Sequence, residues 1–229
     1  MYVKDHMTKN PVTVTLGTSV SKALDLMQKG HFHRLPVCDE GGKLVGLITE
    51  GVVTEASGQS TTSLSIFELN YLLSRTTVDE IMIKDVKTIT EEKFVEEAAQ
   101  EMLESGYNVL PVVDSDNKVI GIITEKDIFK TFVDLLSLKK QGTKFVVKTE
   151  NKPGEFAKIA QAFADNDANI IAMGVYEREE GTESFVKATG EIAVEAMNKV
   201  LKDAGFEVVN IVQTTTEGER VYYDPTKTA

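Results

Sequence analysis

The chain is poor in the residue types that several classes of protein require. Its 229 residues include one cysteine, Cys38, which cannot form an internal disulfide. The first ten residues, MYVKDHMTKN, lack the apolar stretch of a secretory signal. The longest apolar stretches, such as VLPVV at 109–113, have the length of a strand and not the roughly 18 residues of a membrane span. We therefore expect a cytoplasmic protein with no membrane partner.

Basic residues are also too few for a general nucleic-acid binder. The sequence has 25 Lys and Arg against 36 Asp and Glu, a formal net charge of −11. Because contacts to nucleic-acid phosphates need clustered Lys and Arg, we do not expect a nucleic-acid partner. The length allows one large domain or two small ones.

The first half of the sequence is an internal duplication. A shift of 75 aligns residues 3–53 with residues 78–128 without a gap, and 17 of the 51 positions are identical. About 3 identities would be expected by chance from average composition. The best-matched blocks are RLPVCDEGGKLVGLITE at 34–50 and VLPVVDSDNKVIGIITE at 109–125. The sequence therefore contains two copies of one structural unit.

Each copy predicts the same order of elements. Short strands at 13–16 and 88–91 precede helices at 19–30 and 93–106, two strands follow, and a second helix begins directly after a threonine. Between the copies, SIFE at 65–68 has the form of a capping box and predicts a helix through IFELNYLL at 66–73. The preceding SGQSTTS at 57–63 predicts a surface loop.

A different unit begins near residue 143. Strands are predicted at 144–149, 169–177, 183–189 and 206–213, and helices at 155–167 and 192–205. The order β-α-β-β-α-β predicts a four-stranded antiparallel sheet with both helices on one face. The polar tail at 214–229 is predicted to be loose or only partly ordered.

These residues resemble a known arrangement of domains. The duplicated half resembles a tandem pair of CBS domains (a Bateman module), and residues 143–213, with the Asn-Lys-Pro-Gly loop at 151–154, resemble a ferredoxin-like ACT domain. The order of domains, with SIFELNYLLSRTTVDEIM at 65–82 and DIFKTFVDLL at 127–136, is similar to the acetoin utilisation protein B family of bacteria. The expected fold class is α/β (α+β). The expected bounds are 1–60 and 78–138 for the repeats, 61–77 for a linker helix, 143–213 for the ACT-like domain and 214–229 for the tail.

The resemblance also implies a function. CBS pairs bind adenosine-containing ligands in the cleft between their two copies, ACT domains commonly bind amino acids and pair with another ACT domain, and neither module is catalytic. We therefore expect a non-enzymatic, homodimeric regulator of an unidentified protein, with no metal or cofactor. Its ligand would be an adenine nucleotide such as AMP, ADP or ATP, and cyclic di-AMP is a further candidate.

The second copy carries the chemistry that a nucleotide needs. In GIITEKDI at 121–128 a strand ends at Thr124 and a helix begins at once, which aims free backbone N–H groups at an anion. Thr124 can bind a phosphate or ribose oxygen, Lys126 supplies charge, and the Asp127 carboxylate can accept from ribose hydroxyls. This matches the Gly-x-x-Thr-x-x-Asp pattern of the family. The same spacing also suits a plain helix cap, so a purely structural role for Thr124 and Asp127 remains an alternative.

The first copy lacks this anchor but has other polar groups. It keeps Thr49, whereas Gly51 and Val52 stand where copy two has the lysine and the aspartate. His33 and Arg34 precede its central strand, at positions where copy two has Asn108 and Val109.

In CBS pairs the anchor of one copy works with this segment of the other. The resemblance therefore implies that His33 and Arg34 face the phosphates of a ligand held by Thr124 and Asp127, with adenine near Val12 and Phe32. A metal site at His31 and His33 is disfavoured because two ligands without a third make a poor site. All the polar groups converge on one cleft, which predicts a single nucleotide site.

The ACT-like unit offers a second candidate site. Pro153 and Gly154 lie at the mouth of a predicted helix, where free N–H groups could hold the carboxylate of an amino acid. The resemblance implies a ligand between this loop and a strand of a partner domain, with Asn151, Gly154 and Ile170 as candidate contacts. A plain turn explains the same residues.

Three functions therefore compete. The first is a nucleotide sensor, and the second is a scaffold whose ACT unit pairs or binds an amino acid. The third is a small hydrolase of acetoin metabolism, for which we find no nucleophile and base in register; Cys38 stands where copy two has Val113.

Overall fold

The computed structural model describes residues 1–56, 66–179, 181–190 and 193–227. The chain divides into two compact units, Met1–Thr131 and Phe132–Ala229. The helices are α1 Val3–His6, α2 Val20–Gly30, α3 Glu50–Ala56, α4 Ile66–Arg75, α5 Val78–Ile81, α6 Val95–Ser105, α7 Glu125–Leu135, α8 Glu155–Ala164 and α9 Val194–Asp203. The strands are β1 Thr8–Lys9, β2 Val14–Thr15, β3 Arg34–Cys38, β4 Leu44–Thr49, β5 Ile89–Thr90, β6 Val109–Val113, β7 Val119–Thr124, β8 Gly142–Thr149, β9 Asn169–Arg178, β10 Gly181–Thr189, β11 Glu207–Thr214 and β12 Arg220–Tyr223.

The first unit contains the two predicted repeats, each built around a small sheet. In copy one, β2 pairs in parallel with β3, which pairs antiparallel with β4. In copy two, β5, β6 and β7 repeat this order, and β1 adds a fourth strand beside β7. The apolar face of α2, including Met27, packs on the first sheet, and that of α6, including Met102, packs on the second. This periodicity of buried residues is why the sequence predicts both helices well.

The repeats exchange their first residues. Val3, at the start of copy one, is buried in the core of copy two, and Val78, at the start of copy two, is buried in the core of copy one. Four residues after each valine is a methionine, Met7 or Met82, which lies against a strand glycine of the opposite copy. A Cβ atom added at Gly46 would lie 2.2 Å from Met82 Sδ, and one added at Gly121 would lie 2.3 Å from Met7 Sδ. The two copies are therefore interlocked.

The connection between the copies contains the predicted helix, α4. Ser65, the first residue of the predicted capping box, and the predicted loop at 57–63 lie outside the described residues. The short helix α5 that follows has a capping box of its own, in which Glu80 accepts from the backbone N–H of Thr77 at 2.9 Å. Asp79 accepts from the backbone N–H of Gly17 at 2.8 Å, which lowers the pKa of the Asp79 carboxyl. This bond ties the start of copy two to copy one.

The second unit has the predicted β-α-β-β-α-β order. Its sheet runs β12-β11-β8-β10-β9, with antiparallel pairing throughout. The core contains buried residues of both helices and of the central strands. Phe145 of β8 meets Phe163 of α8 edge to face, with ring centroids 5.8 Å apart. Residues of this core recur at every second position of the central strands, as at Phe145 and Val147, because successive side chains point to opposite faces of a sheet.

The tail differs from the prediction of a loose segment, and the sheet has five strands instead of four. Strand β12 pairs with β11, and Tyr223 packs against the core while its hydroxyl donates to Gln213 Oε1 at 2.8 Å. Beyond it, the carbonyl oxygen of Pro225 accepts from Asn198 Nδ2 at 3.0 Å and from Lys202 Nζ at 2.8 Å. Tyr223 supplies the apolar contact of this strand with the core, although the tail as a whole is polar.

None of the helices in the described part of the chain combines the length and apolar character needed to cross a lipid bilayer.

Candidate nucleotide site

The start of helix α7 is built as the sequence predicts. Asp127 Oδ2 accepts from the Thr124 backbone N–H at 2.9 Å and from the Thr124 hydroxyl at 2.7 Å, and the Asp127 N–H donates to Thr124 Oγ1 at 3.4 Å. These reciprocal bonds are those of a capping box, so Thr124 and Asp127 cap the start of α7. Lys126 is exposed on the same turn. A role of these residues in holding ribose or phosphate remains a prediction.

The equivalent turn of copy one forms without a carboxylate. There the Val52 N–H donates to Thr49 Oγ1 at 3.2 Å, which reproduces half of the box. The backbone is otherwise equivalent, since the Glu50 N–H donates to the His33 carbonyl at 3.0 Å and the Glu125 N–H donates to the Asn108 carbonyl at 3.2 Å. An aspartate is therefore not needed to form this turn.

Arg34 crosses from copy one to the anchor of copy two. Its Nη1 donates to the Asn108 carbonyl at 3.1 Å and to Asn108 Oδ1 at 2.8 Å. Because the Glu125 N–H donates to the same carbonyl, the guanidinium lies beside the first turn of α7. Burial lowers the pKa of Arg34, and the Glu125 carboxylate opposes that effect. The structure thus brings Arg34 close to the turn of Thr124, Lys126 and Asp127.

His33 instead contacts a group of its own copy. Its Nδ1 lies 2.7 Å from Glu50 Oε2, and both side chains are largely exposed. With Phe32 and His31 they line an open pocket of about 420 Å³ beside α2. The contact of His33 with a ligand phosphate remains a prediction.

The two residues expected near adenine differ in exposure. Val12 is exposed between β1 and β2, whereas Phe32 is half-buried against the core of copy one. The adenine position also remains a prediction.

Sequence reasoning missed Asn108, Glu125 and Glu50 as site residues. Asn108 and Glu125 act partly through their backbone groups, which any residue type carries. The only available signal was the position of Asn108 opposite His33 in the repeat alignment.

The three candidate residues for an amino acid are not brought together. Asn151 Nδ2 donates to Glu177 Oε1 at 3.3 Å, and Gly154, at a φ of 94°, directly precedes α8. Ile170 pairs with Ala188 near the opposite end of β9. Seven residues along a strand separate Ile170 from Glu177, about 23 Å at 3.3 Å per residue. On one chain Ile170 therefore lies away from Asn151 and Gly154, and a ligand shared with a partner domain remains a prediction.

The remaining candidates for a reactive centre among the described residues are metal-ligating side chains and the Cys38 thiol. Within the described ranges, no three His, Cys, Asp or Glu side chains lie close enough to hold a metal ion. Burial raises the pKa of the Cys38 thiol, although a hydrogen bond to Thr13 opposes this. A thiol with these properties is a poor nucleophile.

Comparison with known proteins assigns both halves of the chain. The sequence pattern of the CBS domain matches residues 3–57 and 78–134, and that of the ACT domain matches residues 145–206. These matches define the class as a pair of CBS domains followed by an ACT domain, in a mixed α/β fold.

Solved structures that resemble this chain include the following three, each with a TM-score of 0.50. The CBS domain pair of protein MJ0100, in complex with 5′-methylthioadenosine and S-adenosyl-L-methionine, is 32% identical and the match covers 58% of this chain and 97% of that chain. CBSX2 of Arabidopsis thaliana in complex with AMP is 29% identical, with 58% and 97% covered. A candidate acetoin utilization protein (AcuB) from Vibrio cholerae is 27% identical, with 60% and 94% covered.

The chain belongs to the CBS-domain family, and the predicted tandem pair with a C-terminal ACT domain is confirmed. The likeness to AcuB supports the predicted resemblance to acetoin utilisation protein B. Among curated relatives, the L-aspartate semialdehyde sulfurtransferase of Methanocaldococcus jannaschii is 33% identical over 57% of this chain. The chain spans only 23% of the length of that relative and 22% of the next, so these matches do not extend to the greater part of either relative.

Proposed function

We propose that the protein is a non-catalytic cytoplasmic regulator that binds one adenine nucleotide per chain between its CBS repeats. Thr124, Lys126 and Asp127 would hold ribose and phosphate, and Arg34 and His33 of the other copy would meet the phosphates. The ACT domain would pass the occupancy of this cleft to a regulated protein.

One observation carries the proposal. Arg34 Nη1 and the Glu125 N–H converge on the Asn108 carbonyl, so a cation from one copy lies beside the carboxylate anchor of the other. In the repeat alignment Val109 corresponds to Arg34 and Val52 to Asp127, so the second cleft has neither the cation nor the carboxylate. An acidic chain that binds an anion must use local groups of this kind. The asymmetry therefore favours one competent cleft.

The proposed ligand class rests on the charge of the site. Arg34 and Lys126 suit a phosphate better than the sulfonium of S-adenosylmethionine, because a cationic sulfur next to two cations is repelled. The relatives in complex with AMP and with S-adenosyl-L-methionine make both ligands necessary in a test.

Isothermal titration calorimetry on the full chain tests the proposal. AMP, ADP, ATP, cyclic di-AMP, S-adenosylmethionine and unphosphorylated adenosine are each titrated into the wild type and into Arg34→Met. We expect one site per chain and a loss of about tenfold or more for phosphorylated ligands in Arg34→Met, with adenosine unaffected. Lys22→Met removes a cation of the same repeat from α2 and should leave binding unchanged. Absence of binding by all six compounds would overturn the proposal.

A scaffold function is supported by a different observation. Several large apolar side chains are exposed on two helices, with Phe67 at 86% and Tyr71 at 65% on α4 and Phe129 at 66% on α7. Apolar surface of this kind favours association, and a homodimer is the simplest form. Analytical ultracentrifugation of Phe67→Ser and Phe129→Ser against the wild type tests this. A stability increase with one amino acid and with no nucleotide would favour the scaffold.

A further inference from the structure

Lys187 is the most deeply buried lysine among the described residues, and neither proposed site uses it. It lies on β10, is 2% exposed, and forms no ion pair with any carboxylate in the described ranges. Burial lowers the pKa of its ammonium group, and the nearby Arg220 and Lys144 lower it further. A charge kept in such a place needs strong hydrogen bonds.

Those bonds come from the segment that follows helix α7. Lys187 Nζ donates to the Ser137 carbonyl at 2.7 Å and to the Lys140 carbonyl at 2.7 Å, with Thr214 Oγ1 at 3.4 Å. Backbone carbonyl oxygens carry partial negative charge, so accepting these bonds offsets part of the cost of burying the ammonium group. Lys187 therefore holds the 137–140 segment, which follows α7, on strand β10.

The segment that it holds is strained. Helix α7 ends in a Schellman motif, in which the Leu138 N–H donates to the Val133 carbonyl at 3.1 Å and the Ser137 N–H donates to the Asp134 carbonyl at 3.0 Å. The residue at the left-handed position is usually glycine, but here Ser137 adopts a φ of 51°. For a residue with a Cβ atom this costs roughly 1–2 kcal/mol. Ser137 is nevertheless buried, and its hydroxyl donates to the Ile171 carbonyl at 3.3 Å.

The same helix begins at the candidate nucleotide site. The division between the two units falls inside α7, after Thr131, and its first turn contains Asp127. Thr131 is itself buried, with its hydroxyl 2.9 Å from His6 Nδ1. Helix α7 thus begins in the first unit, and the segment that follows it in the second unit is bonded to Lys187.

We propose that Lys187 is a positioning residue that couples the nucleotide site to the ACT domain by holding the 137–140 segment after α7. The inference rests on the proposed function and deepens it. A ligand that shifts the first turn of α7 displaces the helix end, and Lys187 transmits the displacement to β10. Without Lys187, the strained turn at Ser137 relaxes and the displacement is lost.

Hydrogen exchange measured by mass spectrometry on the full chain tests the coupling, with and without AMP. The variant is Lys187→Met, and Lys144→Met is the matched control. Lys144 pairs directly with Lys187 on the neighbouring strand, but its ammonium group lies over the Phe185 ring and has no bond to the 137–140 segment. Calorimetry checks that AMP affinity stays within about twofold in both variants.

Three results are expected. Without nucleotide, the amides of 138–140 exchange at least tenfold faster in Lys187→Met and not in the control. With AMP, exchange in 183–189 changes severalfold in the wild type and in the control, and this change disappears in Lys187→Met. If Lys187→Met does not fold, Lys187→Gln, which keeps a donor, replaces it in the same comparison.

Other results would overturn the inference. The coupling is refuted if the wild type binds AMP without a change of exchange in 183–189. It is also refuted if Lys187→Met keeps that change. In both cases the proposed nucleotide binding stands. Failure of the wild type to bind any adenine nucleotide overturns the proposed function itself. In that case exchange at 138–140 still decides whether Lys187 holds the segment.

Discussion

Replacing Asp127 by asparagine separates ligand binding from helix capping at the start of α7. In the structure one carboxylate oxygen, Oδ2, accepts both bonds from Thr124. Asparagine keeps the size of the side chain and an oxygen for the Thr124 N–H, so the cap survives with a loss of a few tenths of a kcal/mol to about 1 kcal/mol from the missing charge. A ribose held by the second oxygen would lose a charged acceptor.

The expected loss of affinity is much larger than the loss of stability. A hydrogen bond to a charged group contributes about 1.5–3 kcal/mol. At about 1.4 kcal/mol for each factor of ten, the AMP dissociation constant should rise roughly 10- to 140-fold. Calorimetry measures the dissociation constant, and urea denaturation followed by circular dichroism measures the stability.

Val52→Ala is the matched control because Val52 occupies the equivalent position in copy one. It should cost some stability, since Val52 packs against the core of copy one, but should leave AMP affinity nearly unchanged. An Asp127→Asn protein with unchanged affinity would refute the reasoning and leave Asp127 with the cap alone.

Three further predictions concern the fold. Asp79→Asn should destabilise the protein at neutral pH and have a vanishing effect in acid. Because the pKa of Asp79 is lowered in the folded state, its bond to Gly17 stabilises fully above the unfolded-state pKa, and this stabilisation is lost as the pH falls through the folded-state pKa. Denaturation at several pH values checks this. Ile123→Ala should cost about 2–5 kcal/mol of unfolding free energy in urea because Ile123 is fully buried, whereas Leu103→Ala, at an 86% exposed position, should change it by less than about 0.5 kcal/mol; equal effects would contradict the assigned core. Tyr223→Phe should cost about 0.5–1.5 kcal/mol if β12 is part of the sheet, while Tyr222→Phe, at an exposed position, should be silent in thermal denaturation; a silent Tyr223→Phe would place the tail outside the fold.

The sequence alone predicts the repeats, the element order and the anchor turn, because each depends on local pattern. The periodicity of α2 and α6 and the Thr124 and Asp127 spacing are visible in single segments of the chain. The alignment of the copies also places Val52 opposite Asp127, which predicts that only Asp127 can contribute a carboxylate to a ligand. Local pattern and internal comparison together were sufficient for these features.

Other features depend on contacts that a linear pattern does not contain. The pairing of Arg34 with Asn108 uses a backbone carbonyl, and the burial of Lys187 depends on a backbone carbonyl 47 residues away, that of Lys140. The tail was predicted to be loose because its average polarity hides the short strand at 220–223. The assignment of Val3 to the core of the opposite copy likewise needs the three-dimensional structure.

The exchange of first residues between the copies has an evolutionary consequence. A single repeat expressed alone would leave Gly46 without the methionine that covers it, and it would need a second copy of itself to supply one. Such a dimer of identical chains must carry two identical clefts, so any change in one is made in both. Fusion into one chain removes that constraint. It allows Val52 and Asp127 to stand at equivalent positions, so that one cleft can lose its anchor while the other keeps it.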